Sequence, residues 1–477
     1  MKKYVSLSIL AVALFCPAFA AAGTFMLKNI NSRLLVDVNG ILFFVVTDPQ
    51  EGELLWKSDG TAGGTVMVKD IFLNGSAPLG NLKNINGTLF FCAFDESYRL
   101  GLWKSNGTEE GTVLIKYLIG ESMPEYMTNV NGTLFFSGEA GDGFELWKSD
   151  GTEDGTVIVK DLCMFGGSFP QDLVNVNGIL FFTAEGDCCD RELWKSDGSE
   201  QGTVMIDIDI GTSGPQYLTN VNGTLFLSAH DELSGQELWK TDGTEQGTVM
   251  VKDINPSQDY WLSSNPMSLT NVNGVLFFVA TTDANGTELW KSDGTWQGTV
   301  MVKDINRLSS GFPHPQYLTN VNGTLFFTAD NRANGVELWK SDGTPQGTVM
   351  VKDIRPGING SNPSNLSDIN GTLFFTADDG INGVELWKSD GTEQNTVMVK
   401  NINLGGGSNP EYLTYANGSM FFRANDGINY GALWMDVLCS EELLSDLNAD
   451  CKVNLKDFAI MASEWLLCKK IAVEFCQ

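Results

Sequence analysis

Nine times along the chain a Leu-Trp dipeptide returns, at Trp56, Trp103, Trp147, Trp194, Trp239, Trp290, Trp339, Trp387 and Trp434, with 44 to 51 residues between copies. Self-similarity at this period marks four-stranded propeller blades rather than helical solenoids. Each copy is too small to bury both faces of its own sheet. The chain is therefore an array whose units must cover one another.

The copy from Tyr317 to Ile354 shows the unit. Tyr317-Leu318-Thr319-Asn320-Val321 runs into Asn322-Gly323, a strong hairpin signal, and then into the β-branched and aromatic run Thr324-Leu325-Phe326-Phe327-Thr328-Ala329. Val336-Glu337-Leu338-Trp339-Lys340-Ser341 follows a polar loop. A turn at Asp342-Gly343-Thr344 leads to Thr348-Val349-Met350-Val351-Lys352. This predicts four short strands with tight connections. The Leu-Phe-Phe and Val-Met-Val runs break strict alternation, as strands buried on both faces do.

The ninth copy has Asn417-Gly418 and Leu433-Trp434 but lacks the last strand. Gly23-Thr24-Phe25-Met26-Leu27-Lys28-Asn29-Ile30 matches that missing strand position for position against Gly347 to Ile354. An N-terminal strand that completes the last blade would close a ring and remove both open edges. The expected fold class is all-β, a nine-bladed propeller of four-stranded blades closed by the N-terminal strand, with a small α-helical calcium-loop tail. Propellers usually have about four to eight blades. Two rings or an open β-array therefore stand beside the single ring as alternatives.

Residues 1–20 stand apart. Lys2 and Lys3 precede an apolar run from Val5 to Phe15, and Ala18-Phe19-Ala20 fits a signal-peptidase site, so a secretory leader is expected. Cys16 is flanked by bulky Phe15 and by Pro17, which favours ordinary secretion over lipidation. The expected division is 1–20 leader, 21–436 repeat domain and 437–477 tail. The formal charge is −29, from 30 basic and 59 acidic residues. That balance argues against nucleic acid or an anionic membrane surface as partner. No stretch after the leader is long enough for membrane insertion. Eight of the nine cysteines follow the leader, and an even number in an exported chain suggests up to four disulfides of undeduced connectivity. Cys188-Cys189 is expected to pair with Cys92 or Cys163, and the tail cysteines Cys439, Cys451, Cys468 and Cys476 among themselves.

The tail abandons the β pattern. Asp446, Asn448, Asp450, Asn454 and Asp457 place oxygen-bearing side chains at the first, third, fifth, ninth and twelfth positions of an EF-hand-type loop, with the Lys452 carbonyl as the seventh-position ligand. Calcium is the expected cofactor. Phe458, Met461, Ala462, Trp465 and Leu466 then form the apolar stripe of a helix. This segment resembles a dockerin, a likeness that covers about 30 residues and implies a cohesin-like or cell-surface protein as partner. It departs from that pattern in two ways: Cys451 replaces the loop glycine, inviting a bridge to Cys468, and only one loop is evident. The repeats resemble the bacterial family named for its Glu-Leu-Trp-x-x-Asp-Gly-Thr signature, intact at Glu145 to Thr152, Glu237 to Thr244, Glu288 to Thr295, Glu337 to Thr344 and Glu385 to Thr392. That resemblance implies a secreted or surface protein and no reaction.

The Asp-Gly-Thr aspartates sit where an Asp side chain commonly accepts its own backbone amides, so they are read as turn residues. The Leu-Trp tryptophans are read as blade anchors, because they lie within apolar strands. Ligand contacts are expected from the unequal loops, with Tyr260, Trp261 and Trp296 as candidates for stacking on a polysaccharide. Only His230 and His314 are available as histidines, and neither belongs to a triad or metal-ligand pattern. The expected function is a secreted, non-enzymatic binding or scaffold propeller, attached or capped by its calcium-binding tail. The alternatives are an extracellular polysaccharide-directed enzyme of the glycoside hydrolase class and, from a resemblance of Gly-x-Glu-Leu-Trp-Lys to a quinoprotein blade motif, a quinoprotein-like dehydrogenase.

Overall fold

The computed structural model describes residues 23–71, 78–141, 143–163, 166–186, 190–206, 214–256, 263–306 and 314–438. The Asn-Gly pairs do what two-residue hairpins require. In the seventh blade Val321 pairs with Thr324 across Asn322 and Gly323, whose φ angles are +48° and +81°. Positive φ at both central residues matches the turn to the twist of its strands. Phe327 then pairs with Trp339, and Trp339 with Met350, so one repeat makes a four-stranded antiparallel sheet.

Eight such sheets occupy residues 32–69, 79–117, 125–160, 171–206, 216–252, 267–303, 316–352 and 364–400, numbered here as blades 1 to 8. Blade 9 takes three strands from 411–437 and its outer strand from Thr24–Lys28. Thr24 pairs with Asp436, Phe25 with Met435 and Met26 with Trp434. The innermost strand of each blade packs on the next, and that of blade 9 on that of blade 1, so the nine blades form one closed ring. Closure leaves no sheet edge between blades open to another chain. Among the described residues the fold is all-β, with no helix. The tail expected to carry calcium loop and helix lies outside the described residues.

The doubled aromatic of the second strand, present in every blade but the fifth, where Leu227 takes the second place, explains how the blades hold together. Phe326 packs towards blade 8 with Leu373, Phe375 and Trp387, while its neighbour Phe327 packs towards blade 6 with Phe277 and Leu289. Successive side chains of a strand point to opposite faces, so a Phe-Phe pair feeds two inter-blade cores at once. Burying one such ring contributes about 1.5–3 kcal/mol. The Leu-Trp tryptophans close these layers; Trp339 lies 6.4 Å from Phe327 between ring centroids and donates Nε1–H to the Ala329 carbonyl at 3.1 Å.

Two sets of lysines link blades at their turns. Lys57, Lys104, Lys148, Lys195 and Lys240, each following its Leu-Trp, donate Nζ to the carbonyl of Gly107, Gly151, Gly198, Gly243 and Gly294 in the next blade, at 2.7–2.8 Å. Outer-strand lysines do the same one layer out: Lys69 reaches Thr112, Lys160 reaches Thr203 and Lys303 reaches Thr348. A large part of the small basic complement is thus committed to backbone carbonyls between blades.

Candidate functional site: the axial channel

The repeated acidic residues are structural in their geometry. Asp342 Oδ1 accepts from Thr344 N at 2.8 Å and Thr344 Oγ1 at 2.7 Å, and Thr344 Oγ1 accepts from Gly347 N at 2.9 Å. The hydroxyl and amide of Thr344 hold the Asp342 carboxyl below its usual range. Glu145, Glu237, Glu288, Glu337 and Glu385 of the Glu-Leu-Trp motif are instead buried and gather the loop that leads to the next blade. Glu337 accepts from the amides of Ile354, Arg355 and Ser361, and from Ser361 Oγ. Glu237 accepts likewise from Ile254 and Ser264. Burial raises Glu237 and Glu288 to about 7 despite these donors. The sequence reading assigned these glutamates no role; their regular placement before Leu-Trp, inside an apolar strand, was the available signal.

The innermost strands carry a second repeated feature. In blade 5 Gln216 pairs with Ser228 and Thr219 with Phe226, so Tyr217 and Leu218 together oppose Leu227 as a bulge. The same bulge recurs in all nine blades, and its first residue is always left-handed. Leu34, Asn81, Tyr126, Asp172, Tyr217, Ser268, Tyr317, Asn365 and Tyr412 have φ between +53° and +57°. None is glycine, and a bulky residue held there costs on the order of 1–3 kcal/mol. Asn81, Asp172 and Asn365 tolerate this region, but Leu34 and the four tyrosines are strained there, an outlier that points to use.

All nine sit on innermost strands, and four of them share one cavity. A cavity of about 310 Å³ is lined only by inner-strand residues of blades 3 to 6, among them Tyr126, Asp172, Tyr217 and Ser268. Tyr126, Tyr217, Tyr317 and Tyr412 are about half exposed. Below them the wall is stitched from blade to blade. Asn175, Asn220, Asn271 and Asn320 donate to the carbonyls of Asn129, Asn175, Asn220 and Asn271 at 3.0–3.2 Å. Thr219 and Thr270 hydroxyls reach Leu269 and Leu318 carbonyls of the following blades. The channel thus has a fixed polar wall crowned by aromatic side chains.

The ligand candidates expected from the loops divide. Tyr260 and Trp261 lie outside the described residues, as do Cys188, Cys189, Cys439, Cys451, Cys468, Cys476 and the calcium-loop residues Asp446, Asn448, Asp450, Lys452, Asn454 and Asp457. Trp296 is exposed on a turn of blade 6, with Lys252 Nζ 4.6 Å above its ring. It is remote in register from the inner strands. His230 lies in the second strand of blade 5, its Nδ1 buried and without a partner, while burial lowers His314 at the entry to blade 7. Cys92 and Cys163 are buried and free among the described residues, and the Cys188-Cys189 pair expected to bridge to one of them lies outside those residues. Burial alone pushes the Cys92 thiol far above its usual range. The phrase Tyr-Leu-Thr-Asn, standing at 217–220 and 317–320, was the signal for the channel: an aromatic opens an otherwise polar strand.

No protein-family model and no curated protein matches the sequence. Among solved structures the chain is similar to a puromycin hydrolase (12% identity over 73% of this chain and 58% of that one, TM-score 0.37). It is also similar to a prolyl endopeptidase (12% identity, 74% and 54%, TM-score 0.42) and to a puromycin-hydrolyzing peptidase of Mycobacterium tuberculosis (9% identity, 74% and 59%, TM-score 0.37). The chain therefore spans 54–59% of the length of these structures, and the likeness is one of fold. All three are named as enzymes, against the expectation of a non-enzymatic binding or scaffold propeller, and that expectation is not taken up again.

Proposed function

We propose that this chain is the substrate-admitting propeller of a peptide-processing hydrolytic enzyme, and that its axial channel takes an extended polypeptide. The observation that carries this reading is the ring of left-handed bulges, which holds Tyr126, Tyr217, Tyr317 and Tyr412 at one register on the innermost strands. Tyrosine offers a rigid amphipathic face with little entropy to lose on contact. An extended polypeptide presents what such a wall can match, apolar side chains for the rings and amides for the phenol hydroxyls. In this role the ring selects and orients the substrate, and bond cleavage belongs to groups outside it.

The test uses a generic unfolded chain, fluorescently labelled, reduced and carboxymethylated α-lactalbumin, with binding followed by anisotropy. The native ring should bind it saturably, and the Tyr217→Ala/Tyr317→Ala double variant at least tenfold more weakly. Absence of binding, or equal affinity in the double variant, would remove the proposal.

A further inference from the structure

The nine bulge positions on the innermost strands are not chemically equal. Eight are occupied by Leu34, Asn81, Tyr126, Tyr217, Ser268, Tyr317, Asn365 and Tyr412; the ninth, in blade 4, is Asp172. It is the one charged residue in the ring. Tyr126 stands one blade before it and Tyr217 one blade after, and all three line the same cavity of about 310 Å³.

The Asp172 carboxylate has no hydrogen bond and no ion pair among the described residues. The nearest basic group acting on it is Arg191, and that guanidinium is already engaged. Its Nη1 donates to the Phe169 carbonyl at 3.0 Å and to the Thr183 carbonyl and hydroxyl at 3.4 and 3.3 Å, and its Nη2 meets Glu185 at 3.4 Å. A partly buried carboxylate without a donor is costly, and a carboxylate kept so between two half-exposed aromatic rings is matched by a cation from outside. Burial raises the Asp172 carboxyl, with Arg191 opposing, which agrees with a charge short of partners. Glu125, beside Tyr126 on the same inner strand, adds negative potential at this side of the channel. The chain as a whole carries −29, so a cationic ligand is also drawn in from solution.

We propose that the cavity formed by Tyr126, Asp172 and Tyr217 is a subsite for an organic cation, an alkylammonium or guanidinium side chain carried by the extended ligand. This rests on the channel reading above and adds the substrate class to it: chains bearing lysine or arginine.

The experiment titrates two capped decapeptides into the full chain by calorimetry, one alternating glycine with lysine and the other glycine with norleucine. The lysine peptide should bind with one-to-one stoichiometry and at least tenfold more tightly. Asp172→Asn, a residue at ease in the left-handed region, should reduce it to the norleucine level; Tyr217→Phe should keep the preference and Tyr217→Ala lose it. Equal binding of the two peptides to the native chain would overturn the cation subsite and leave the channel reading standing. A lysine preference that survives both Asp172→Asn and Tyr217→Ala would also overturn it, as diffuse attraction to an acidic surface. Binding of neither peptide would take the channel reading down with it. The native-chain contrast decides even if a variant fails to fold.

Discussion

Lys400 Nζ lies 2.7 Å from the carbonyl oxygen of Thr24, a residue 376 positions earlier in the chain. It is the link that outer-strand lysines such as Lys69, Lys252 and Lys303 make to the next blade, made here to the N-terminal strand that completes blade 9. Thr24 Oγ1 also donates to Asp436 Oδ1 at 2.7 Å within blade 9, and the Thr414 hydroxyl reaches the Leu35 carbonyl across the boundary between blades 9 and 1. Closure therefore uses the links of an ordinary blade boundary together with one added contact to a buried carboxylate.

Thr24→Val should be costly out of proportion to its size. Asp436 is buried, and the substitution removes its one hydrogen-bond donor among the described residues. A buried acceptor left unsatisfied costs about 1–3 kcal/mol. Urea denaturation should show that loss, and deletion of residues 23–28 should lower the melting temperature further and promote association through the freed edge of blade 9. Unchanged melting in the deletion would contradict closure by this strand.

The buried glutamates set a pH dependence. Glu237 and Glu288 titrate near 7 in the fold, against an ordinary value of 4.5, because burial disfavours their charged form. Between those values the unfolded chain gives up the protons that the fold retains, so their contribution is fully present below about pH 4.5 and is lost as pH rises towards 7. Each is worth on the order of 1–3 kcal/mol. The turn aspartates run the other way: Asp150, Asp242 and Asp342 are held below 3.8 by threonine donors, and their contribution is lost as pH falls through their lowered values. Denaturation should show stability falling from pH 5 to 7, less steeply in Glu237→Gln/Glu288→Gln. A native profile that is flat or rising over this range would speak against burial as the controlling cause.

At the channel, stability and binding should separate. Tyr217→Gly relieves a left-handed backbone and is expected to stabilise the fold by up to about 1 kcal/mol while weakening capture of an unfolded chain. Tyr217→Val, β-branched at the same φ, should destabilise. Paired melting and anisotropy measurements check this; a glycine variant that loses stability would mean the ring packs for the fold rather than for a ligand.

Much of the architecture was legible because each repeated residue type has one physical use. The Asn-Gly pairs gave the hairpins, the Leu-Phe-Phe run announced two covered faces, and Gly23 to Ile30 announced the closing strand. The number of rings was not legible, since local sequence does not encode the angle between blades; the packing of blade 1 on blade 9 decides it. The channel site was missed for a related reason. A bulge is a register event between strands, and nothing in Tyr217-Leu218-Thr219 read alone shows that Tyr217 has positive φ or shares a ring with Asp172. Attention went instead to irregular loops, where Trp296 is exposed but stands alone over Lys252.

The tail carries an independent expectation. Calcium titrated into the full chain should bind at one saturable site, and Asp446→Ala should abolish it, because the loop needs its first-position carboxylate. Chelation should leave the melting of the ring unchanged, since the ring's repeated aspartates are satisfied by their own turns. Loss of ring stability on chelation would place calcium in the blades.

The central claim, that ligand enters the axis of the ring, is tested most directly by photo-crosslinking. An unfolded polypeptide carrying a benzophenone side chain would be irradiated with the native chain, digested and mapped by mass spectrometry. The account predicts adducts concentrated on the inner strands Glu125–Val130, Gln171–Val176, Gln216–Val221 and Gln316–Val321. Adducts confined to outer strands such as Val249–Lys252 and Val349–Lys352, or to the exposed turn at Trp296, would contradict it.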